Sequence, residues 1–401
     1  MGWRGVWASI RSSPSNQTSS NQYKANSVNI FLVGSPGYNL GDDAISAIVA
    51  ERLMLAFPEA HLVIATNVLG RVAAPGAREF LVERGKVGGW LRLLREIQRA
   101  DVVLIGGGTL IQDALGCGVI RGMIPFIWQV TLLARVMGKM VATVPIGVDR
   151  LTSSRGVCWG GQILRRCNPV LLRDPQAMQL AKMLAPDHAA SYVVSADPVF
   201  SLASVEGAGS SGHSYLVLSY VREARDAKVV ENEVFQLVIM LRAKWPDLNL
   251  VLLAMEDREE DELGVFRNVM ERVADERVRV EVPSDFRQAA NILRHARAVV
   301  AMRLHAMIIT LGYAPLVGIS RATKTETLMS QASIVGLRID QIDPQLVEDS
   351  LVSVIDDSER LLCQRKFVRA AADRFDDSLV PLIAAIAGNA GQQSSSQERG
   401  E

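Results

Sequence analysis

The chain has 401 residues, 49% of them apolar and 21% charged, with Lys+Arg and Asp+Glu at 43 each. That length exceeds one ordinary core and favours two domains. The apolar share excludes a disordered chain, and the balanced charge gives no field to recruit nucleic acid. Four cysteines (Cys117, Cys158, Cys167 and Cys363) lack zinc-site spacing and read as reduced thiols of a cytoplasmic protein.

Residues 1–27 are dominated by Ser, Asn and Gln over their second half, with no signal segment before them. Residues 389–401 have a similar composition, and both stretches read as disordered tails. No apolar run is long enough to span a bilayer. The richest, Met123 to Met137, is interrupted by Pro125, Gln129 and Arg135. Membrane contact is therefore at most peripheral.

The folded part opens with the β-branched and apolar run Val28 to Gly34, a buried strand. A loop through Asn39 to Asp43 follows, then a helical pattern from Ala44 to Phe57, with Asp42 suited to cap it. The loop holds neither a dinucleotide fingerprint nor a Walker motif. Being acidic, it suits a neutral hydroxylated ligand better than an anion. Leu62 to Ala65 is a second strand and Trp90 to Arg99 an amphipathic helix. Asp101 to Ile105 is a third strand, ending in Gly106-Gly107-Gly108-Thr109. Glycine there permits close backbone approach to a ligand or simply a tight turn, and Asp113 lies just beyond.

Val119 to Met137 reads as a helix and Met140 to Ile146 as a strand. Pro169 to Leu172 ends at Arg173-Asp174, and Tyr192 to Val194 leads to Asp197-Pro198. This alternation makes residues 28–201 a parallel, doubly wound α/β domain. Residues 202–214 are Gly/Ser-rich and read as a linker. A second such domain covers 215–345, with strands at Tyr215 to Tyr220, Asn249 to Ala254, Val278 to Val282, Ala298 to Met302 and Leu316 to Ile319. Residues 346–388 are helical and expected to pack back on the first domain. Two Rossmann-like domains facing one another across a cleft describe the GT-B arrangement.

The densest chemistry lies between Met302 and Lys324. Arg303 and His305 stand where a strand gives way to a helix, and Arg321 and Lys324 follow the next strand on its loop. Ligands of open α/β sheets bind at that carboxyl edge. Singly, each residue also reads as a surface charge or a core histidine. Together they call for an anion bearing a phosphate and a carboxylate.

Taken in order, Asn39-Leu40-Gly41-Asp42-Asp43, Gly106-Gly107-Gly108, Arg173-Asp174, Asp197-Pro198, Arg303-Leu304-His305-Ala306 and Lys324 resemble the polysaccharide pyruvyl transferases. The resemblance covers nearly all of residues 28–330. It implies a GT-B fold, no metal and no other cofactor, and transfer of the enolpyruvyl carbons of phosphoenolpyruvate onto two saccharide hydroxyls as a ketal. Phosphate is released, and the acceptor is a sugar of a polysaccharide or of its lipid-linked precursor. The work is expected in the cytoplasm, up to the inner face of the membrane.

On this expectation Arg173, Arg303 and Lys324, with Arg321 nearby, hold the two anionic ends of the donor. His305 is the general acid. Asp42 or Asp113 takes the hydroxyl proton, and Asn39, Gly107 and Gly108 stand on the acceptor side, in the first domain. The competing reading is a GT-B glycosyltransferase with a nucleotide-sugar donor, for which Glu326 is the only obvious ribose-binding carboxylate.

Overall fold

The computed structural model describes residues 27–34, 36–113, 116–118, 122–203, 214–222, 225–256, 258, 262–320 and 323–397. Most of the expected N-terminal tail, linker residues 204–213 and Arg321 lie outside the described residues.

The first half of the chain runs β1 (Asn29–Val33), α1 (Leu40–Ala56), β2 (His61–Thr66), β3 (Arg78–Leu81), α2 (Val87–Arg99), β4 (Val102–Ile105) and β5 (Thr109–Ile111). It continues through α3 (Met123–Val136), β6 (Met140–Thr143), β7 (Gly147–Val148), α4 (Ser154–Arg166), β8 (Val170–Leu172), α5 (Pro175–Leu184), β9 (Tyr192–Val194) and the helical turn α6 (Phe200–Ala203). The second half begins with β10 (Tyr215–Ser219), α7 (Ala227–Lys244), β11 (Asn249–Leu253), α8 (Glu262–Val273), β12 (Val278–Glu281) and α9 (Phe286–Arg294). Then come β13 (Ala298–Ala301), α10 (Leu304–Thr310), β14 (Leu316–Ser320), α11 (Thr323–Gln331), β15 (Val335–Arg338), α12 (Pro344–Ile355) and α13 (Ser358–Gln397).

Two parallel sheets result, ordered β3-β2-β1-β4-β6 and β12-β11-β10-β13-β14-β15. Helices cover both faces of such sheets, so the strands read as continuous apolar runs: all of β4, β13 and β14 is buried. Past β6 the chain stays beside β8, with the Ile146 N–H donating to the Leu171 carbonyl at 3.1 Å. β8 and β9 therefore prolong the first sheet.

α1 is buried on nearly every side, as expected of a helix without a polar face. It lies between the domains, and one apolar core runs from Ile45 and Leu53 through Phe286 and Leu293 to Phe375 and Leu382. The last helix returns to the first domain, as its sequence suggests. Its stripe Val368, Ala371, Phe375, Leu379, Leu382 and Ile386 is buried. Arg52 Nε donates to Asp376 at 2.9 Å, and the Ser378 and Ser195 hydroxyls share a 2.6 Å hydrogen bond. The same helix holds the second domain through Arg365, which donates to the Gly312 carbonyl at 2.5 Å.

Several boundaries differ from the sequence reading. α1 starts at Leu40, and its cap is Asn39 rather than Asp42: Asn39 Oδ1 accepts the Gly41 N–H at 2.8 Å. α3 begins at Met123, behind Gly122 at φ 118°, and residues 119–121 lie outside the described residues. Leu202 and Ala203, placed in the linker by composition, close α6. α13 runs to Gln397, past the expected tail start at 389; its alanines and glutamines are good helix formers.

Candidate functional site

The carboxyl edges of the two sheets face each other across a cavity of about 400 Å³. The first domain contributes Asn39 and Asp42 after β1, Asn67 after β2, Gly108 and Thr109 after β4, and Arg173 after β8. The second contributes Glu256 and Arg258 after β11, Met302 to His305 after β13, and Lys324 after β14. Among the described residues, five basic side chains (Arg84, Arg173, Arg258, Arg303 and Lys324) line it against two acidic ones, Asp42 and Glu256. A smaller chamber of about 70 Å³ shares Arg173, Leu304 and Lys324 with it and reaches Phe367 and Arg374 of α13.

His305 stands at the junction of the domains. Its ring lies so close to Gly41 that a Cβ there would overlap it, and glycine is what permits the approach. On the other side, His305 Nε2 is 3.6 Å from Asp197 Oδ2, and Arg173 Nη1 is 3.6 Å from the same oxygen. Neither His305 Nε2 nor Asp197 Oδ2, both buried, has a hydrogen-bond partner among the described residues. Burial opposes ionisation of Asp197, yet His305, Arg173 and the Val199 N–H together hold this carboxyl below its ordinary value. Arg173 also donates to Thr109 Oγ1 at 3.3 Å. The next residue, Asp174, caps α5 by accepting the Ala177 N–H at 2.7 Å.

Arg303 is engaged by two carboxylates. Its Nη2 is 3.1 Å from Glu256 Oε1, and its Nε donates to Glu262. Burial raises the Glu262 carboxyl to about 7 despite the opposing Arg303 charge. Glu256 behaves oppositely: burial again disfavours the charge, but Arg303, Arg258 and Asn39 outweigh it and lower its pKa. Asn39, expected to meet substrate, donates from Nδ2 to Glu256 at 3.1 Å while its Oδ1 caps α1. The neighbouring Leu40 N–H donates to the Met255 carbonyl at 3.2 Å, so a second hydrogen bond links the domains here. α10, which follows Arg303, has only seven residues, a short dipole for an anion.

Asp42 lies in the first turn of α1 and reaches the cavity beside Gly108: a Cβ at Gly108 (φ 79°) would stand 2.5 Å from Asp42 Oδ1. Gly107, at φ 101°, shapes that turn without lining the cavity. Asp113 does not join Asp42. It accepts the Ser153 and Thr152 N–H groups at 2.7 and 2.9 Å, ahead of α4. Those bonds outweigh burial and lower its pKa. Lys324 is in the first turn of α11 rather than on the preceding loop, and it lines both chambers. Glu326 is exposed and lines neither. Asp197 is the residue to which the sequence reading gave no role; its signal was an Asp-Pro pair after a strand, in line with Arg173 on the adjacent one.

Two doubly wound domains meeting at a polar, cation-rich cleft define a GT-B architecture, and solved structures share it. UDP-GlcNAc 2-epimerase from Neisseria meningitidis bound to UDP-GlcNAc is 9% identical with a TM-score of 0.60, over 89% of this chain and 100% of that one. The S. aureus MnaA–UDP structure is 15% identical with a TM-score of 0.60, over 87% and 92%. UDP-GlcNAc 2-epimerase from Methanocaldococcus jannaschii is 10% identical with a TM-score of 0.56, over 86% and 99%. No curated protein matches the chain. The family model for polysaccharide pyruvyl transferase matches residues 39–314, and the chain belongs to that family.

Proposed function

We propose that this transferase moves the enolpyruvyl group of phosphoenolpyruvate onto two hydroxyls of a saccharide, free or lipid-linked, forming a pyruvate ketal and releasing phosphate. The first domain (28–201) takes the acceptor and the second (215–345) the donor, with Arg173 of the first domain added to the donor's partners, in the cytoplasm. The observation that carries the reading is His305: a donor-domain histidine pressed on Gly41, beside Asp42, with buried Asp197 and Arg173 behind it.

In the first half-reaction a saccharide oxygen bonds to the enol carbon, Asp42 takes the hydroxyl proton, and His305 delivers a proton to the methylene carbon. The Asp197 carboxylate orients the ring. In the second, the other hydroxyl oxygen displaces phosphate from the same carbon and closes the ketal, its proton leaving on the released phosphate. Arg173 and Lys324 carry the donor's charge and that of the departing phosphate. Arg303 joins them when an anion displaces Glu256 from its guanidinium. A nucleotide-sugar donor has less support, because Glu326 is exposed and away from both chambers.

The test is phosphate release from phosphoenolpyruvate across a panel of saccharide acceptors, with His305→Gln as the variant. Turnover is expected to fall roughly 10²–10⁴-fold while donor affinity is kept. Absence of phosphoenolpyruvate binding, or wild-type turnover in the variant, overturns the reading.

A further inference from the structure

Behind Arg303, away from the cavity, lies a buried acid. Glu262, the first residue of α8, is 1% exposed and does not line the cleft. A carboxyl in the core is costly and persists where its oxygens are paired. The two oxygens of Glu262 have different partners: Oε1 accepts the Arg303 Nε–H, and Oε2 accepts the Met255 N–H at 2.6 Å. Met255 is itself held, because its carbonyl accepts the Leu40 N–H of α1 at 3.2 Å. Glu262 is thus anchored to backbone that joins the two domains.

Glu256, the other acid on Arg303, differs on each point. It lines the cavity, and Arg303, Arg258 and Asn39 reach it with side chains that can turn. An incoming anion can take its place. Glu262 offers no exposed side-chain surface for an anion to approach.

The two contacts fall on different parts of the guanidinium. That group is a planar fork whose N–H directions are fixed relative to one another. Holding Nε from the interior therefore sets the plane, and Nη2 is left turned to Glu256 at 3.1 Å. Locking a binding group in this way removes an ordering cost that the ligand would otherwise bear. Only a carboxylate suits the position, because two N–H donors converge on it from separate directions. A glutamine would turn its own N–H2 toward one of them.

We propose that Glu262 is a positioning residue for the donor: it fixes the Arg303 guanidinium so that Nη2 stays in place for an anion when Glu256 is displaced. The proposal rests on phosphoenolpyruvate being the donor.

The test is a double-mutant cycle read by isothermal titration of the full chain with phosphoenolpyruvate, with melting temperatures measured alongside. Glu262→Gln should weaken donor binding by roughly 10-fold, the scale of one charge-assisted hydrogen bond. In an Arg303→Lys background, which lacks the fork, the same substitution should change affinity by less than about twofold. Equal losses in both backgrounds, or a lowered melting temperature with donor affinity unchanged, overturn the proposal and make Glu262 a part of the core only. A second readout needs no donor. With arginine labelled with ¹⁵N, the Nε–H signal that Arg303→Lys removes should exchange slowly with water in the wild type and rapidly in Glu262→Gln. Fast exchange in the wild type overturns the positioning role whatever the donor is. Slow exchange lost in Glu262→Gln, in a protein that does not bind phosphoenolpyruvate, supports the hold on Arg303 and overturns the donor assignment instead.

Discussion

Replacing Glu256 by Gln should tighten donor binding. In the structure Glu256 already sits where an anion would: Arg303 Nη2 at 3.1 Å, Arg258 Nη2 at 2.5 Å and Asn39 Nδ2 at 3.1 Å all point to it. A unit charge pair at that first distance attracts by about 5 kcal/mol at an effective dielectric constant near 20. An incoming carboxylate or phosphate must replace that attraction. Gln keeps the shape and an oxygen for Asn39 while removing the charge. The difference between a charge-assisted and a neutral hydrogen bond is roughly 1–2 kcal/mol, so affinity should rise by about 5- to 30-fold. Isothermal titration with phosphoenolpyruvate measures this directly. Unchanged or weaker binding would refute the reasoning and make Arg303 a structural bridge between Glu256 and Glu262, leaving the donor to Arg173 and Lys324.

Gly41→Ala should reproduce much of the His305→Gln defect, because the new methyl displaces the imidazole ring; wild-type steady-state turnover in this variant would show that His305 needs no fixed position. Asp42→Asn should lower turnover by about 10²-fold or more with stability kept, whereas Asp113→Ala should lower stability by about 1–2 kcal/mol, the scale of a lost helix cap, with turnover kept; the two are separated by kinetics and thermal melts. Burial raises Asp43 from 3.8 and Glu262 from 4.5, each to about 7. The folded state therefore retains protons that the unfolded chain releases between about pH 4 and 7, so stability should fall as pH rises through that window and level off above it. Melting temperatures from pH 5 to 8 check the slope, which Asp43→Asn should flatten; a rise over that range would contradict it.

The fold was legible because parallel strands buried on both faces write themselves as apolar runs, from Val28 to Gly34 and from Ala298 to Met302. The start of α1 was not: its Leu40-Gly41 opening has no amphipathic period, since the helix is covered on nearly every side. Arg173, His305 and Lys324 were found because strand ends are positions that sequence can locate. Their partners were harder. Glu256 and Glu262 sit in an acidic stretch that reads like any solvated loop, and only the tertiary fold brings Arg303 between them. Asp113 was drawn toward the cavity by its nearness in sequence to Gly108, but Thr152 and Ser153, some forty residues on, take its carboxylate.

The long terminal helix has a consequence for how the protein is made. α13 provides the Phe375, Leu382 and Ile386 side chains that complete the core shared with α1, and the Ser378 hydroxyl that meets Ser195. During vectorial synthesis the first sheet therefore emerges long before the segment that closes over it, and it waits with an apolar face uncovered until residues 358–397 follow. The two sheets are two domains in topology that share one apolar core. A single unfolding transition is the natural outcome, and a chain ending before α13 leaves its oldest domain unfinished.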